Sequence, residues 1–245
     1  MTHSIVFGGS KGLGRVVARQ FAARGDTVSI FSRTAPPSVD LGEKIVHFPV
    51  DITDGDATHD ALAAAVDQHG APSYLIFCQR HRSGGDTWTG EIEVSLTASK
   101  RVIEQLQDMF AVQEDCAVAF VGSVFSERIG DGQDIGYYLG KAGMNHMARY
   151  YAVNLGRKGI RFNTVTPFTF LKEESKDFYL NNKDVLTLYE DIVPLRRMAT
   201  TEDSANVITF LCSPAASFVN GQNIYVDGGL SLVWPETLAR RLKNI

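Results

Sequence analysis

The five residues Tyr137-Tyr138-Leu139-Gly140-Lys141 are the part of this chain best suited to proton chemistry. On a helix, residues i and i+4 share a face, so Tyr137 meets Lys141. Tyr138 has no lysine four residues on, because position 142 is Ala. An ammonium beside a phenol favours the phenolate. A phenol biased in that way can exchange a proton with a carbonyl or alcohol oxygen. Tyr and Lys at this spacing are common by chance. What singles the pair out is its place after an apolar run that ends in Gly122-Ser123.

A second cluster, Gly8-Gly9-Ser10-Lys11-Gly12-Leu13-Gly14, follows the apolar run 4–7 and opens a stretch of helical periodicity. Glycines permit a tight turn and let a phosphate approach the backbone. The helix start adds N–H donors and the positive end of a dipole. Directly after a first strand, this is the context of a nucleotide-phosphate loop rather than of a plain turn.

The elements that must position these groups alternate along the chain. Apolar runs at 4–7, 27–31, 45–49, 74–77, 117–121, 161–165 and 224–226 read as strands. Between them lie helical patterns. The first carries Val16, Val17, Phe21 and Ala22 on one side, and others cover 57–68, 92–110, 137–155 and 204–211. Continuous apolar strands alternating with amphipathic helices predict an α/β fold, a doubly wound parallel sheet of seven strands with helices on both faces. No composition break or linker divides residues 1–245, so a single domain is expected. Residues 167–201 interrupt the alternation, carry helical patches over 173–188, and read as an insertion above the sheet. With residues 79–90, they are where specificity is expected to lie.

Composition narrows the partners. Of the 245 residues, 24 are Lys or Arg and 28 are Asp or Glu, a formal charge of −4. That lacks the basic footprint of a nucleic-acid or anionic-membrane binder. At 44% hydrophobic and 21% charged the chain is expected to be globular and not disordered. Cys78, Cys116 and Cys212 are an odd, scattered set with no CxxC pair, which points to a reducing cytoplasm. The N-terminus has no signal-peptide pattern, and no apolar stretch is long enough to span a bilayer. The six histidines show no ligand spacing, so no metal is expected; His146, five positions past Lys141, reads as structural.

The spacing G-x-x-x-G-x-G at Gly8, Gly12 and Gly14 resembles that of the classical short-chain dehydrogenase/reductases. Asp51-Ile52 after the third strand, Ser123, Tyr137, Lys141 and Pro167 fall where that family's motifs fall. Residues 159–163, 194–198 and 221–229 are also similar to family segments, so the resemblance covers nearly the whole chain. It implies a Rossmann fold and an oxidoreductase that interconverts a ketone and a secondary alcohol. In such an enzyme Tyr137 is the acid/base, Lys141 supports it and holds the nicotinamide ribose, and Ser123 polarises the reacting oxygen. Cofactor contacts are then expected from Gly8, Ser10, Lys11, Gly12, Leu13, Gly14, Ser32, Arg33, Asp51, Ile52, Cys78, Gln79, Tyr137, Lys141 and Pro167. NAD enzymes place an acid at the end of the second strand; here that strand ends Phe31-Ser32-Arg33. Arg33, with Lys11 in the glycine loop, can meet a 2′-phosphate, which points to NADP(H) and to reduction as the working direction. The C-terminal tail from Trp234 implies a homodimer or homotetramer.

The chain also departs from the family. Phe7 replaces the Thr before the first glycine. The family's Asn-Asn-Ala-Gly becomes Phe77-Cys78-Gln79-Arg80, its catalytic Asn becomes Ser95, the Ser before Lys becomes Gly140, and the Gly after Pro167 becomes Phe168. Ser95, with a shorter side chain, needs a further water to serve the proton relay from Lys141. Ser123 stands 14 positions before Tyr137 (137 − 123), which implies a one-residue insertion in the loop between them. Either the pocket is reshaped around an intact Ser123, Tyr137 and Lys141, or the protein is a catalytically weak NADP-binding scaffold or sensor. Arg80 and Arg82 are candidate contacts to an anionic substrate, beside Ser123 and Phe168; the competing readings are a solvated loop or an Arg on the cofactor pyrophosphate. Trp88 could stack on a sugar face or simply pack. A specialised biosynthetic substrate, a sugar, nucleotide sugar or natural-product precursor, fits these departures.

Overall fold

The computed structural model describes residues 2–82, 84–111 and 115–243. Seven strands form one parallel sheet: β1 (His3–Phe7), β2 (Thr27–Ser32), β3 (Ile45–Pro49), β4 (Tyr74–Phe77), β5 (Cys116–Val121), β6 (Ile160–Pro167) and, last in the chain, Asn223–Val226. Their spatial order is β3-β2-β1-β4-β5-β6 and then the last strand. Chain order reverses at β1, so a crevice opens between the C-terminal ends of β1 and β4, where open α/β sheets bind ligands. Helices α1 (Gly12–Ala23), α2 (Gly55–His69), α3 (Thr87–Ile92), α4 (Ala98–Leu106) and α5 (Ile135–Asn154) connect the strands.

The five inner strands bury both faces, which is why they read as largely apolar runs, while β3 and the last strand, at the two edges, are only partly buried. One core layer joins Leu62 of α2, Val102 and Ile103 of α4 and Met144 of α5 to the sheet. The other joins Val17 and Phe21 of α1 to Ala205 and Ile208. Across five neighbouring strands, register aligns one phenylalanine per strand: Phe48, Phe31, Phe7, Phe77 and Phe120. Their ring centroids are 5.2, 4.8, 5.6 and 5.1 Å apart in that order, all stacked, within the favourable range for aromatic pairs. Phe7 is the central ring, so the departure from Thr at this position completes a ladder.

The expected helix over 92–110 is broken into pieces. Asp86 accepts from the Trp88 and Thr89 N–H groups at 3.2 and 3.1 Å, and this cap starts α3 earlier than periodicity suggests. A π turn, Glu93–Thr97, separates α3 from α4, and α4 ends at Leu106. The insertion above the sheet contains strand β7 (Phe170–Leu171), helices α6 (Lys176–Leu180) and α7 (Lys183–Ile192), and strand β8 (Ala199–Thr200), with β7 paired to β8. Helix α8 (Thr201–Leu211) follows and packs on α1. Counting on, Asn223–Val226 is β9, and the tail forms α9 (Pro235–Lys243) against α7.

Candidate active site

A cavity of about 1020 Å³ runs along the C-terminal strand ends, from the glycine loop to α5 and under the insertion. That is at the upper end of the volumes of small-molecule and cofactor sites. At one end Gly8 and Gly12 have φ of +74° and +51°, conformations that disfavour other residues. A Cβ on Gly8 would lie 2.8 Å from the Gln79 nitrogen, and one on Gly14 would overlap the Gly8 carbonyl oxygen. Two of the three glycines are therefore demanded by the chain's own packing, and not only by an approaching phosphate. Lys11, the residue before α1, makes no side-chain cap, and the first turn holds no acid, so the positive dipole end lies at the cavity. Ser10, Lys11 and Leu13 line this end.

At the end of β2, Ser32 and Arg33 line the cavity opposite Asp51 and Ile52. Arg33 Nη1 is 3.7 Å from Asp51 Oδ2. The other Asp51 oxygen accepts from the Thr53 N–H and hydroxyl at 3.0 and 2.8 Å, which fixes the turn. No carboxylate stands at the end of β2 itself. The helix start, the loop and a guanidinium at the ribose end are a donor set that suits the phosphates of a dinucleotide.

At the far end, Ser123, Tyr137 and Lys141 line the same cavity. Lys141 is 4% exposed, and its Nζ donates to the Val121 carbonyl at 2.8 Å and lies 5.8 Å from the Tyr137 ring centroid. Burial lowers its pKa to about 8, partly offset by the Glu91 charge and deepened by Arg80. The Ser123 Oγ accepts from the Phe125 N–H at 3.2 Å, which leaves its own O–H hydrogen to donate to a ligand. Tyr138 is separated from this role by geometry: its hydroxyl donates to the Gly130 carbonyl and accepts from the Gly130 N–H.

Arg80 reaches into this end. Its guanidinium carbon lies 4.7 Å from the Tyr137 ring centroid, and its Nη2 donates to Gln133 Oε1 at 2.8 Å. Arg82, Pro167 and Phe168 also line the cavity, with Phe170, Lys172 and Tyr179 from the insertion. Arg15 and Arg19 of α1 pair with Glu173 and so tie the insertion to the glycine-loop helix.

Several expected contacts sit differently. Cys78 and Gln79 border the cavity, but Gln79 turns its amide to Ser99 Oγ at 2.9 Å. Burial raises the Cys78 thiol to about 12, which keeps it protonated. Ser95 is fully buried behind the cavity wall, and its Oγ contacts Glu91 Oε2 at 3.3 Å. Trp88 does not line the cavity; its backbone packs against Gly136 and its side chain is 46% exposed. Glu91 and Gln133 carried no motif. Glu91 was within reach of a helical reading, being four residues before Ser95.

The family model described as enoyl-(acyl carrier protein) reductase matches residues 8–231. Among curated proteins, the chain is 28% identical over 241 residues to an L-rhamnose 1-dehydrogenase (NAD(P)(+)) of a Sphingomonas species, covering 92% of this chain and 94% of that one. It is 28% identical over 244 residues to a 3-oxoacyl-(acyl-carrier-protein) reductase of Mycobacterium tuberculosis, covering 93% and 92%. Among solved structures it is similar to a glucose/ribitol dehydrogenase from Brucella melitensis, with a TM-score of 0.80, 25% identity, and 94% and 96% of the two chains covered.

Proposed function

Because the chain belongs to the short-chain dehydrogenase/reductase family, oxidoreductases that use a nicotinamide cofactor, we propose that it is an NADP(H)-dependent enzyme interconverting a ketone and a secondary alcohol. One observation carries this reading: Ser123, Tyr137 and Lys141 meet at one end of a cavity whose other end holds the glycine loop and Arg33. When bound there, the cofactor would supply or accept the hydride. Gly8, Ser10, Lys11, Gly12, Leu13 and Gly14 hold the pyrophosphate end, Arg33 and Lys11 the 2′-phosphate, and Asp51 and Ile52 the adenine side. Ser123 donates a hydrogen bond to the substrate oxygen and stabilises the charge that grows on it. Tyr137 gives that oxygen its proton in reduction and takes it back in oxidation. Lys141 supports Tyr137 from the buried side. The reading needs no metal.

The test is turnover with NADPH and NADH on a panel of ketones and keto-sugars, in both directions. Turnover with NADPH supports the reading. Cofactor binding with no turnover in either direction would make the protein a scaffold or sensor, which the replacements at Arg80 and Ser95 would then explain. Cofactor choice has its own variant. Arg33→Ala is expected to lower kcat/KM for NADPH by roughly ten- to hundredfold, the worth of a charge-assisted hydrogen bond, and to leave NADH nearly unchanged. Equal losses with both cofactors would remove Arg33 from the 2′-phosphate.

The substrate end favours an anionic or polyhydroxylated carbonyl compound. Arg80 presents a planar guanidinium beside Tyr137, and relatives of this chain are named for sugars and for acyl-carrier-protein thioesters. Arg80→Ala should cost roughly ten- to hundredfold in kcat/KM on a carboxylated or phosphorylated ketone, and much less on a neutral one. Full retained activity on the anionic substrate would sink the assignment. A cytoplasmic homodimer or homotetramer completes the reading; the outer face of α5 exposes Tyr150 and Val153, apolar surface suited to a second copy.

A further inference from the structure

We propose that Glu91 is the buried counter-charge of Lys141, a positioning residue that holds the lysine ammonium in place through the contact between α3 and α5. The proposal rests on the reading that Lys141 is a working group of the site.

Glu91 is 4% exposed, and a carboxylate removed from water is costly unless an opposite charge or good donors compensate it. Its Oε2 lies 3.3 Å from Ser95 Oγ, a long hydrogen bond that by itself compensates little. The cation whose charge it meets is Lys141, brought to the same side by the packing of α5 on α3. Helix α5 presents Gly136, Gly140 and Gly143 to the α3 side, spaced by four and three residues. A Cβ on Gly136 would lie 2.9 Å from the Trp88 Cα, and one on Gly143 would lie 2.8 Å from Leu96 Cδ1. A Cβ on Gly140 would sit 3.4 Å from the Ser95 Cβ and 3.6 Å from the Glu91 carbonyl oxygen. The backbone just before Lys141 therefore lies against Glu91 and Ser95, at distances where an added methyl would make ordinary contact.

The surroundings of Lys141 supply little other negative charge. Its Nζ hydrogen bonds go to the neutral Val121 carbonyl at 2.8 Å and Met144 Sδ at 3.7 Å. From the end of β4 it faces Arg80, a like charge, and the Cys78 thiol, and on its own helix it faces Tyr137. Glu91 is the acid facing it from α3, and its charge opposes the downward pull of burial and Arg80. Glu93 is engaged elsewhere, with Arg101 at 2.9 Å, and the His81 ring packs on Gly90. A carboxylate buried one helix away from a buried lysine thus keeps the ammonium charged, and Ser95 steadies the carboxylate.

The experiment follows Lys141 itself, by NMR titration of cofactor-free protein labelled at lysine Cε, with Lys141→Arg to assign the signal. In Glu91→Gln the titration midpoint should fall by about one unit, roughly a tenfold fall in the ammonium-to-amine ratio at a given pH. Ser95→Ala should give a smaller fall. A folded Glu91→Gln protein with an unmoved midpoint overturns the proposal. If that variant does not fold, Glu91→Asp decides, with a partial fall supporting the proposal and no change refuting it. The kcat pH profile should move with the midpoint. A wild-type protein that turns over no carbonyl compound while Glu91→Gln still moves the midpoint defeats the reductase reading alone; normal turnover with an unmoved midpoint defeats the role of Glu91 alone.

Discussion

Tyr137→Phe is expected to lower kcat by roughly 10²- to 10⁴-fold, the span of a lost general acid, while NADPH still binds. The substitution keeps the ring and removes one oxygen. The ring's packing against Phe125 and beneath Arg80 is retained, so the pocket keeps its shape. What is lost is the proton donor that shares the end of the cavity with Ser123 and Lys141. Tyr138→Phe is the internal control, because that hydroxyl is bound to Gly130 and serves the loop before α5. It should cost about 1 kcal/mol of stability and spare turnover. Both are read by steady-state kinetics and cofactor titration. Turnover retained within a few-fold in Tyr137→Phe would move the acid elsewhere in the site.

Gly14→Ala is expected to damage the fold and the cofactor site together. The new methyl would overlap the Gly8 carbonyl oxygen and stand 3.1 Å from the Cys78 Cβ. Backbone cannot rotate away as a side chain can, so the glycine loop must open or α1 must shift. Overpacking of this kind costs about 1–3 kcal/mol, or roughly 2–12 °C in Tm for a chain of this size. NADPH affinity should fall by more than about tenfold, since the same loop is asked to hold the pyrophosphate. Gly42→Ala, where no atom lies within 4 Å of the added carbon, should change neither quantity. Unchanged melting and binding in Gly14→Ala would mean the loop is looser than its geometry.

The sheet was legible because its inner strands are buried on both faces and so are largely apolar, and all seven runs are strands. The position of Tyr137 and Lys141 was legible because helical spacing puts them on one face. Arg33 was legible because the end of β2 is a fixed point of such folds. Other features leave no periodic trace. A two-residue strand such as β7 or β8 has no pattern to detect. The break at Glu93–Thr97 is a change of helical pitch, which apolar spacing cannot report over five residues. Glu91 carries no motif, and the part of α5 that packs against it lies far along the chain, at Gly140, 49 positions downstream (140 − 91 = 49). Trp88 was weighed as a sugar platform, and only the approach of α3 to Gly136 shows that its backbone is the part in close contact.

The ladder of Phe48, Phe31, Phe7, Phe77 and Phe120 divides the labour of ligand exchange. Phe7 and Phe31 line the floor of the crevice and the other three rings stack against them, which stiffens that floor. Adjustment to an incoming molecule is then left to the roof, residues 167–201, which are held to α1 through Glu173 and to the sheet at β6. Residence times of cofactor and substrate should accordingly be governed by how often that roof lifts, and the floor should be the same before and after each turnover.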